Sequence, residues 1–284
     1  MTSTSSKPRH WLITGVSSGF GRELAMAALE RGDTVVGTLR QADQAQAFSK
    51  LAPGRSHGIV LDVTNQASVP DAVRRTLSLV GHIDVLVNNA GYGLFAAVEE
   101  TSDAEARHLM ETNFFGLLAV TKAVLPHLRE RKSGHVINLS SLAGITGLPG
   151  CGLYCASKFA VEGLTESLAI EMAPLGIHVT LIEPGGFRTN FGKGSMRLGE
   201  RVIPDYAETA GKTRVGMSTF GDRMPGDPKK AAAALLTIVD APNPPVRLAL
   251  GGDALGAVRQ KAQTLLQQSD AWAALSNNTN FDES

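Results

Sequence analysis

His10-Trp11-Leu12-Ile13-Thr14-Gly15-Val16-Ser17-Ser18-Gly19-Phe20-Gly21 runs from a short apolar segment through a glycine-rich turn into a helical pattern. His10 to Thr14 reads as a strand and Gly21 to Arg31 as a helix. Glycines permit a tight turn, close approach of main chain to a ligand, and close packing of the helix on the strand. The helix N-terminus then offers unpaired N–H groups and the positive end of its dipole to a pyrophosphate. A glycine-rich turn alone is a weak signal. Its place after the first strand and before the first helix is the context of a dinucleotide site. The spacing, Gly-x-x-x-Gly-x-Gly, differs from the usual Gly-x-Gly-x-x-Gly fingerprint.

Outward from this stretch the alternation continues. Thr34 to Leu39, Ser56 to Leu61, Val85 to Asn88, His135 to Ser140 and His178 to Ile182 are brief apolar runs bounded by Gly, Asp or Asn. Between them Ala42 to Lys50, Ala67 to Val80, Ala104 to Arg131 and Leu153 to Ala173 carry helical patterns. Near-continuous apolar strands alternating with helices mean a parallel sheet covered on both faces. The expected fold is α/β, a doubly wound Rossmann-type sheet in three layers, forming a single domain over 10–284 after a flexible arm, 1–9. A helix beginning near Lys229 and a strand over Val246 to Gly251 close the pattern. Residues 190–228 break it, and so long an irregular segment reads as a substrate loop. Residues 252–284 read as a helical extension, with periodicity over Asp253 to Leu275.

Composition narrows the function classes. The 284 residues have 27 basic and 27 acidic side chains, so no basic stripe points to nucleic acid and no cationic tail to a membrane surface. Ala231 to Val239 is too short for a membrane span. Cys151 and Cys155 read as free thiols in a reducing, cytoplasmic setting, since the polar N-terminus has no secretory pattern. The seven histidines show no metal-ligand spacing, and no metal is expected.

Two further places carry chemistry. Strand two ends Val36-Gly37-Thr38-Leu39-Arg40, with no acid where an NAD site holds the ribose hydroxyls. A guanidinium there suits a ribose 2′-phosphate, so NADP(H) is expected over NAD(H). Tyr154 and Lys158 share one helix face at i,i+4. A cation fixed beside a phenol lowers its pKa and makes an acid/base unit for a carbonyl oxygen.

Together these motifs resemble the short-chain dehydrogenase/reductase family in its single-domain form, over roughly 10–190. Thr14 to Gly21 matches TGxxxGxG, Asp62-Val63 the pair that meets the adenine, and Asn88-Asn89-Ala90-Gly91 the NNAG segment. Asn113, Ser141, Tyr154 and Lys158 fall at the catalytic positions, and Pro184-Gly185 with Thr189 at the segment meeting the nicotinamide. The run Gly147 to Leu168 resembles 17β-hydroxysteroid and retinol dehydrogenase relatives. The resemblance implies a hydride transfer between nicotinamide and a carbonyl or secondary alcohol. Tyr154 is then acid or base, Ser141 stabilises the oxygen, Lys158 tunes Tyr154 and holds the ribose, and Asn113 holds a relay water. The implied cofactor contacts are Gly15, Ser17, Ser18, Gly19, Phe20, Arg40, Asp62, Val63, Asn89, Ala90, Gly91, Tyr154, Lys158, Pro184, Gly185, Phe187 and Thr189.

A small-molecule, apolar substrate is expected against Leu94, Phe95, Leu142, Leu148, Phe187 and Phe191, with Met196, Met217 and Phe220 in the loop as adaptable neighbours. The two long helices imply, through the resemblance, a homodimer. The alternative reading is a catalytically silent nucleotide-binding or scaffold protein on the same fold, which has no use for an intact Asn113, Ser141, Tyr154 and Lys158. A nucleotide-sugar epimerase or dehydratase normally needs a larger C-terminal substrate domain than follows Thr189 here.

Overall fold

In the computed structural model, which describes residues 7–189, 194–217, 223–279 and 281, strand β1 (His10–Ile13) lies at the centre of a parallel sheet. On one side follow β2 (Thr34–Leu39) and β3 (Ser56–Val60). On the other come β4 (Val85–Asn88), β6 (Gly134–Leu139), β7 (Ile177–Pro184) and β9 (Arg247–Leu250). The order β3-β2-β1-β4-β6-β7-β9 reverses direction between β1 and β4. Open α/β sheets bind ligands in the crevice above the carboxyl ends of the strands at such a switch point.

The strands are apolar on both faces because both are covered. Trp11, Ile13, Val85 and Val87 pack with Leu24, Ala28 and Leu29 of α1 (Gly19–Arg31) and with Leu235, Ile238 and Val239 of α8 (Pro228–Asp240). Leu12 and Leu86, one residue out of phase, face α3 (Val69–Val80), α5 (Gly116–Arg131) and α6 (Gly152–Met172) through Val73, Val120, Val124, Leu128 and Leu168. This is the period-2 alternation of a strand read on two cores. The remaining helices are α2 (Ala42–Ser49), α4 (Asp103–Met110), α7 (Lys212–Met217) and α9 (Gly252–Ala271), with a short α10 (Ala273–Asn277) at the end.

Two features differ from the sequence reading. Ala104 to Arg131 is helical throughout but not uniformly α: a π turn, Glu111–Phe115, lies between α4 and α5. There Asn113 Nδ2 donates to the Tyr92 carbonyl and Oδ1 accepts the Tyr92 N–H, holding the turn inward through bonds that apolar periodicity does not register. The described part of 190–228 is also ordered by a pairing that its own sequence does not announce. Strand β8 (Met196–Leu198) runs parallel to β5 (Gly93–Phe95) as a separate two-stranded sheet. Most of the expected N-terminal arm, residues 1–6, lies outside the described residues. The expected C-terminal helix is present as α9, and within it only Ala254 is buried.

Candidate active site

A cavity of about 910 Å³ opens above the carboxyl ends of β1, β2, β4, β6 and β7. At one end its wall is main chain. Gly15 adopts φ 74°, a conformation that favours glycine, and donates its N–H to the Thr38 carbonyl. A Cβ on Gly21 would collide with the Asn89 amide and stand 2.5 Å from the Gly15 oxygen. Asn89 braces the turn from behind, its Nδ2 donating to the Thr14 and Gly15 carbonyls at 2.9 and 2.8 Å. The Asn88 side chain is turned the other way. Asn88 Nδ2 instead donates to Thr121 and Asn138, stitching β4 to α5 and β6.

The start of α1 suits an anion. Ser18 is its N-cap in extended conformation, yet its side chain makes no capping hydrogen bond and the first turn holds no acid. The contrast is α4, where Ser102 and Glu105 close a full capping box. Helix N-termini with unsatisfied N–H groups bind phosphates. Arg40, on the rim of the same cavity, is exposed, and no described residue makes a hydrogen bond or ion pair with its guanidinium. Asp62 lies near it with its carboxyl held below the ordinary range. Burial opposes that shift, and hydrogen bonds from Thr64 with the charge of Arg40 overcome it. The residues present therefore fit an NAD(P) dinucleotide.

At the other end four sequence-predicted side chains converge. Tyr154 and Lys158 stand on the inward face of α6, with relative exposures of 8% and 7%. Ser141 caps the turn Leu142–Gly144, its Oγ accepting from the Ala143 N–H at 3.1 Å and sharing a hydrogen bond with the Tyr154 phenol. Lys158 Nζ donates to the Leu139 carbonyl at 2.8 Å and lies 5.9 Å from the Tyr154 ring centroid. Asn113 does not reach the cavity. Both its amide hydrogens are used, on the Tyr92 carbonyl at 2.9 Å and the Ser157 hydroxyl at 3.1 Å, while Oδ1 accepts the Tyr92 N–H and keeps one lone pair.

The expected lowering of the tyrosine pKa is not what the folded chain has. Burial pushes Tyr154 up to about 12, against a smaller opposing effect of the Ser141 hydrogen bond. Burial also brings Lys158 down to about 8, partly opposed by the negative charge of Glu162. Desolvation of the charged form is the largest cause of both shifts. Near neutral pH the phenol is therefore a proton carrier and not a phenolate.

The other predicted contacts among the described residues line this one cavity, except Leu94 and Met196. They are Gly15, Ser17, Ser18, Gly19, Phe20, Arg40, Asp62, Val63, Asn89, Ala90, Gly91, Pro184, Gly185, Phe187 and Thr189, with Phe95, Leu142 and Leu148 towards the substrate end. Leu94 is buried behind that wall with Phe95, Cys151 and Tyr154. Phe191 and Phe220, and the side chain of Met217, lie outside the described residues.

Three features were not read from the sequence. Asp253, at the start of α9, accepts the Gly186 N–H at 2.6 Å and lines the cavity beside the Pro184-Gly185 segment. Glu162, one turn beyond Lys158, is buried beside Glu183 and Arg247. The signal for it was present, since Tyr154, Lys158, Glu162 and Glu166 recur every four residues. His10, His82 and Asp84 come together at the opposite, amino edge of the sheet. The Asp84 carboxylate there is engaged by the His10 N–H, His82 and Arg131, which is an ion-pair network more than an open metal site.

Comparison with known proteins agrees with this geometry. The family model described as short chain dehydrogenase matches residues 9–197. The 3-ketodihydrosphingosine reductase of Bacteroides thetaiotaomicron is 39% identical over 94% of this chain and 93% of its own length. Human retinol dehydrogenase 8 is 34% identical over 84% of this chain and 80% of its own. The crystal structure of a short-chain dehydrogenase from Streptomyces avermitilis superposes with a TM-score of 0.90 at 43% identity, covering 97% of this chain and 100% of that one.

Proposed function

Because the chain belongs to the short chain dehydrogenase family, and is thereby an oxidoreductase acting on alcohol or carbonyl groups with NAD(P), we propose that it is an NADP(H)-dependent reductase of apolar ketones. In this reading Asn113, Ser141, Tyr154 and Lys158 do the proton chemistry. The observation that carries it is the paired hydroxyls of Ser141 and Tyr154 on the cavity wall with Lys158 directly behind them.

The cofactor supplies the hydride to the carbonyl carbon; the chain supplies the rest. The protonated Tyr154 phenol donates to the carbonyl oxygen as charge develops there. The Ser141 hydroxyl, already oriented by the Ala143 N–H, turns its hydrogen to the same oxygen and stabilises it. Lys158, anchored on the Leu139 carbonyl, offers a positive charge that makes the departing proton cheaper to lose. Asn113 fixes Tyr92 and Ser157 around this group, and its remaining lone pair suits a relay water.

Arg40 supports NADP(H) over NAD(H), because its exposed guanidinium lies on the cavity rim at the end of strand two, and residues 37–40 hold no acid for the ribose hydroxyls. Phe95, Leu142, Leu148 and Phe187 support an apolar substrate. The names of both curated relatives point the same way, since retinol and 3-ketodihydrosphingosine each carry a long apolar chain. Residues 190–228 are read as the substrate loop, and of its described residues Gly194, Ser195, Arg197, Thr213 and Met224 line the cavity. A homodimer is supported by Phe115, Phe159 and Ile170, which stay exposed on or beside α5 and α6. A reducing cytoplasm is supported by the buried, unpaired thiols of Cys151 and Cys155.

The test is nicotinamide absorbance with NADPH and NADH against long-chain ketones, small polar ketones and the matching alcohols. Oxidation of NADPH with long-chain ketones is expected. Equal affinity for the two cofactors overturns the NADP(H) reading. Cofactor binding without turnover on any member of the panel favours the silent scaffold.

A further inference from the structure

Glu162 has no role in the proton chemistry derived above, yet it is one of the most deeply buried acids in the molecule, at 4% exposure. It follows Lys158 by one helical turn, so Tyr154, Lys158 and Glu162 form three successive rungs on one face of α6. Its carboxylate lies under the Leu142–Gly144 turn: a Cβ on Gly144 would stand 2.8 Å from Glu162 Oε1. That turn begins at Ser141, and the Lys158 ammonium is held by Leu139, two residues earlier. Glu162 therefore sits beneath the same segment that supplies both the serine and the lysine anchor.

The groups facing it are few. On α6 they are Lys158 and Glu166; at the end of β6 it meets the Ser140 hydroxyl; on β7, the Glu183 carboxyl; on β9, the Arg247 guanidinium. Arg247 Nη1 is 2.5 Å from an oxygen of Glu162 and 2.5 Å from one of Glu183. Its other nitrogens reach Glu166 at 2.9 and 3.0 Å. One half-exposed cation is thus shared by two buried acids and one exposed acid. Among the described residues neither Glu162 oxygen nor the Ser140 hydroxyl completes an aligned hydrogen bond. A buried carboxylate left in this condition is costly unless a nearby charge compensates it. After the shared Arg247, the next cation along the helix is Lys158.

We propose that Glu162 is a positioning residue for the reaction: its carboxylate holds Lys158 in the charged form, and Arg247, competing with Glu183, sets how much negative charge Glu162 keeps. Burial and the neighbouring Glu183 raise the Glu162 pKa to about 7, which places its titration in the working range. The sign follows. As pH rises past that point Glu162 becomes charged and favours the lysine proton. With Glu162 neutral, Lys158 loses its proton at lower pH. The inference rests on the reading of Lys158 as part of the proton machinery, but its central test needs no turnover.

That test is an NMR titration of the whole protein carrying lysine labelled at Cε, with the Lys158 signal assigned by its loss in Lys158→Met. Glu162→Gln is expected to move the Lys158 midpoint down by about one pH unit, a tenfold loss of proton affinity. Glu166→Gln, which removes an exposed charge from the same helix face, should leave it in place. An unmoved midpoint in Glu162→Gln overturns the proposal, as does an equal shift in both variants. Should Glu162→Gln fail to fold, the wild-type titration decides: coupled curves for Glu162 and Lys158 support the proposal, and independent ones overturn it. With a competent ketone, the alkaline limb of kcat/KM moves with the NMR midpoint. A shifted midpoint without turnover on any ketone leaves the lysine coupling standing and removes the ketone-reductase reading instead.

Discussion

At the proposed dinucleotide end the cavity wall is main chain, and at the proposed substrate end it is a segment held largely by side chains. The first wall is one continuous turn from β1 into α1, shaped by Gly15 and Gly21 and braced by Asn89. The second is 194–217, attached by the three-residue pairing of β8 with β5 and by a few polar latches. Glu100 accepts the Ile203 N–H at 2.8 Å, Glu105 accepts the Glu200 N–H at 3.2 Å, and the Tyr206 hydroxyl donates to Glu99 at 2.8 Å. A wall of backbone has few ways to move without unfolding its own strand and helix. A wall of latches opens one hydrogen bond at a time. The fixed end suits a constant ligand, and the latched end suits a variable one that must enter and leave.

Tyr154 stands where the two ends meet, and the largest effect is expected there. Tyr154→Phe keeps the packing with Phe95 and removes the proton, so kcat should fall by about 10²–10⁴ while NADPH binding is unchanged. Retention of more than about a tenth of kcat would mean another group moves the proton. At the fixed end, Arg40→Ala should weaken NADPH by about 1.5–3 kcal/mol, the worth of hydrogen bonds to a charged group, and barely change NADH. Isothermal titration with both cofactors checks it, and parallel losses would assign Arg40 a general electrostatic role. Gly21→Ala should also act on this end, at about 1–3 kcal/mol, by driving a methyl into Asn89 and the Gly15 carbonyl. Lower thermal stability together with weaker NADPH binding is expected. A normal melting point with normal affinity would show that the cradle yields more easily than main chain should.

The fixed end was almost wholly legible in the sequence and the latched end was not. Gly15, Gly19, Gly21, Tyr154 and Lys158 act through spacing of a few residues, which a linear pattern records. Asn89 and Asn88 were recognisable as a pair, but which of them braces the turn depends on where β4 ends against β1. The pairing of Gly93–Phe95 with Met196–Leu198 joins segments about a hundred residues apart, each too short to show a strand period. The π turn that carries Asn113 inward answers to Tyr92 and Ser157, not to its own neighbours in sequence. Glu162, Glu183 and Arg247 meet only because β7 and β9 are adjacent in the sheet. Asp253 reaches Gly186 for the same reason, since α9 begins directly beyond β9.

The smallest effect, and the sharpest test of the contrast, is expected at Glu100. The N–H groups of Ile203 and Ala97 hold its carboxyl below the ordinary carboxylate range, with a further contribution from Arg214. A carboxyl lowered in the folded state contributes above its ordinary value, and the contribution fades as pH falls through the lowered one. The latch is therefore complete at neutral pH and releases only in acid. Glu100→Gln keeps the size of the side chain and weakens the charge-assisted bonds, at a cost of about 1 kcal/mol. Amide exchange should quicken across 194–217 at neutral pH and stay unchanged in β1 and α1. KM for a bulky ketone should rise several-fold at constant NADPH affinity, because in the proposed division the loop belongs to the substrate end. Faster exchange at the glycine turn, or a matching loss of NADPH affinity, would show that the two walls move as one and that the division between them is wrong.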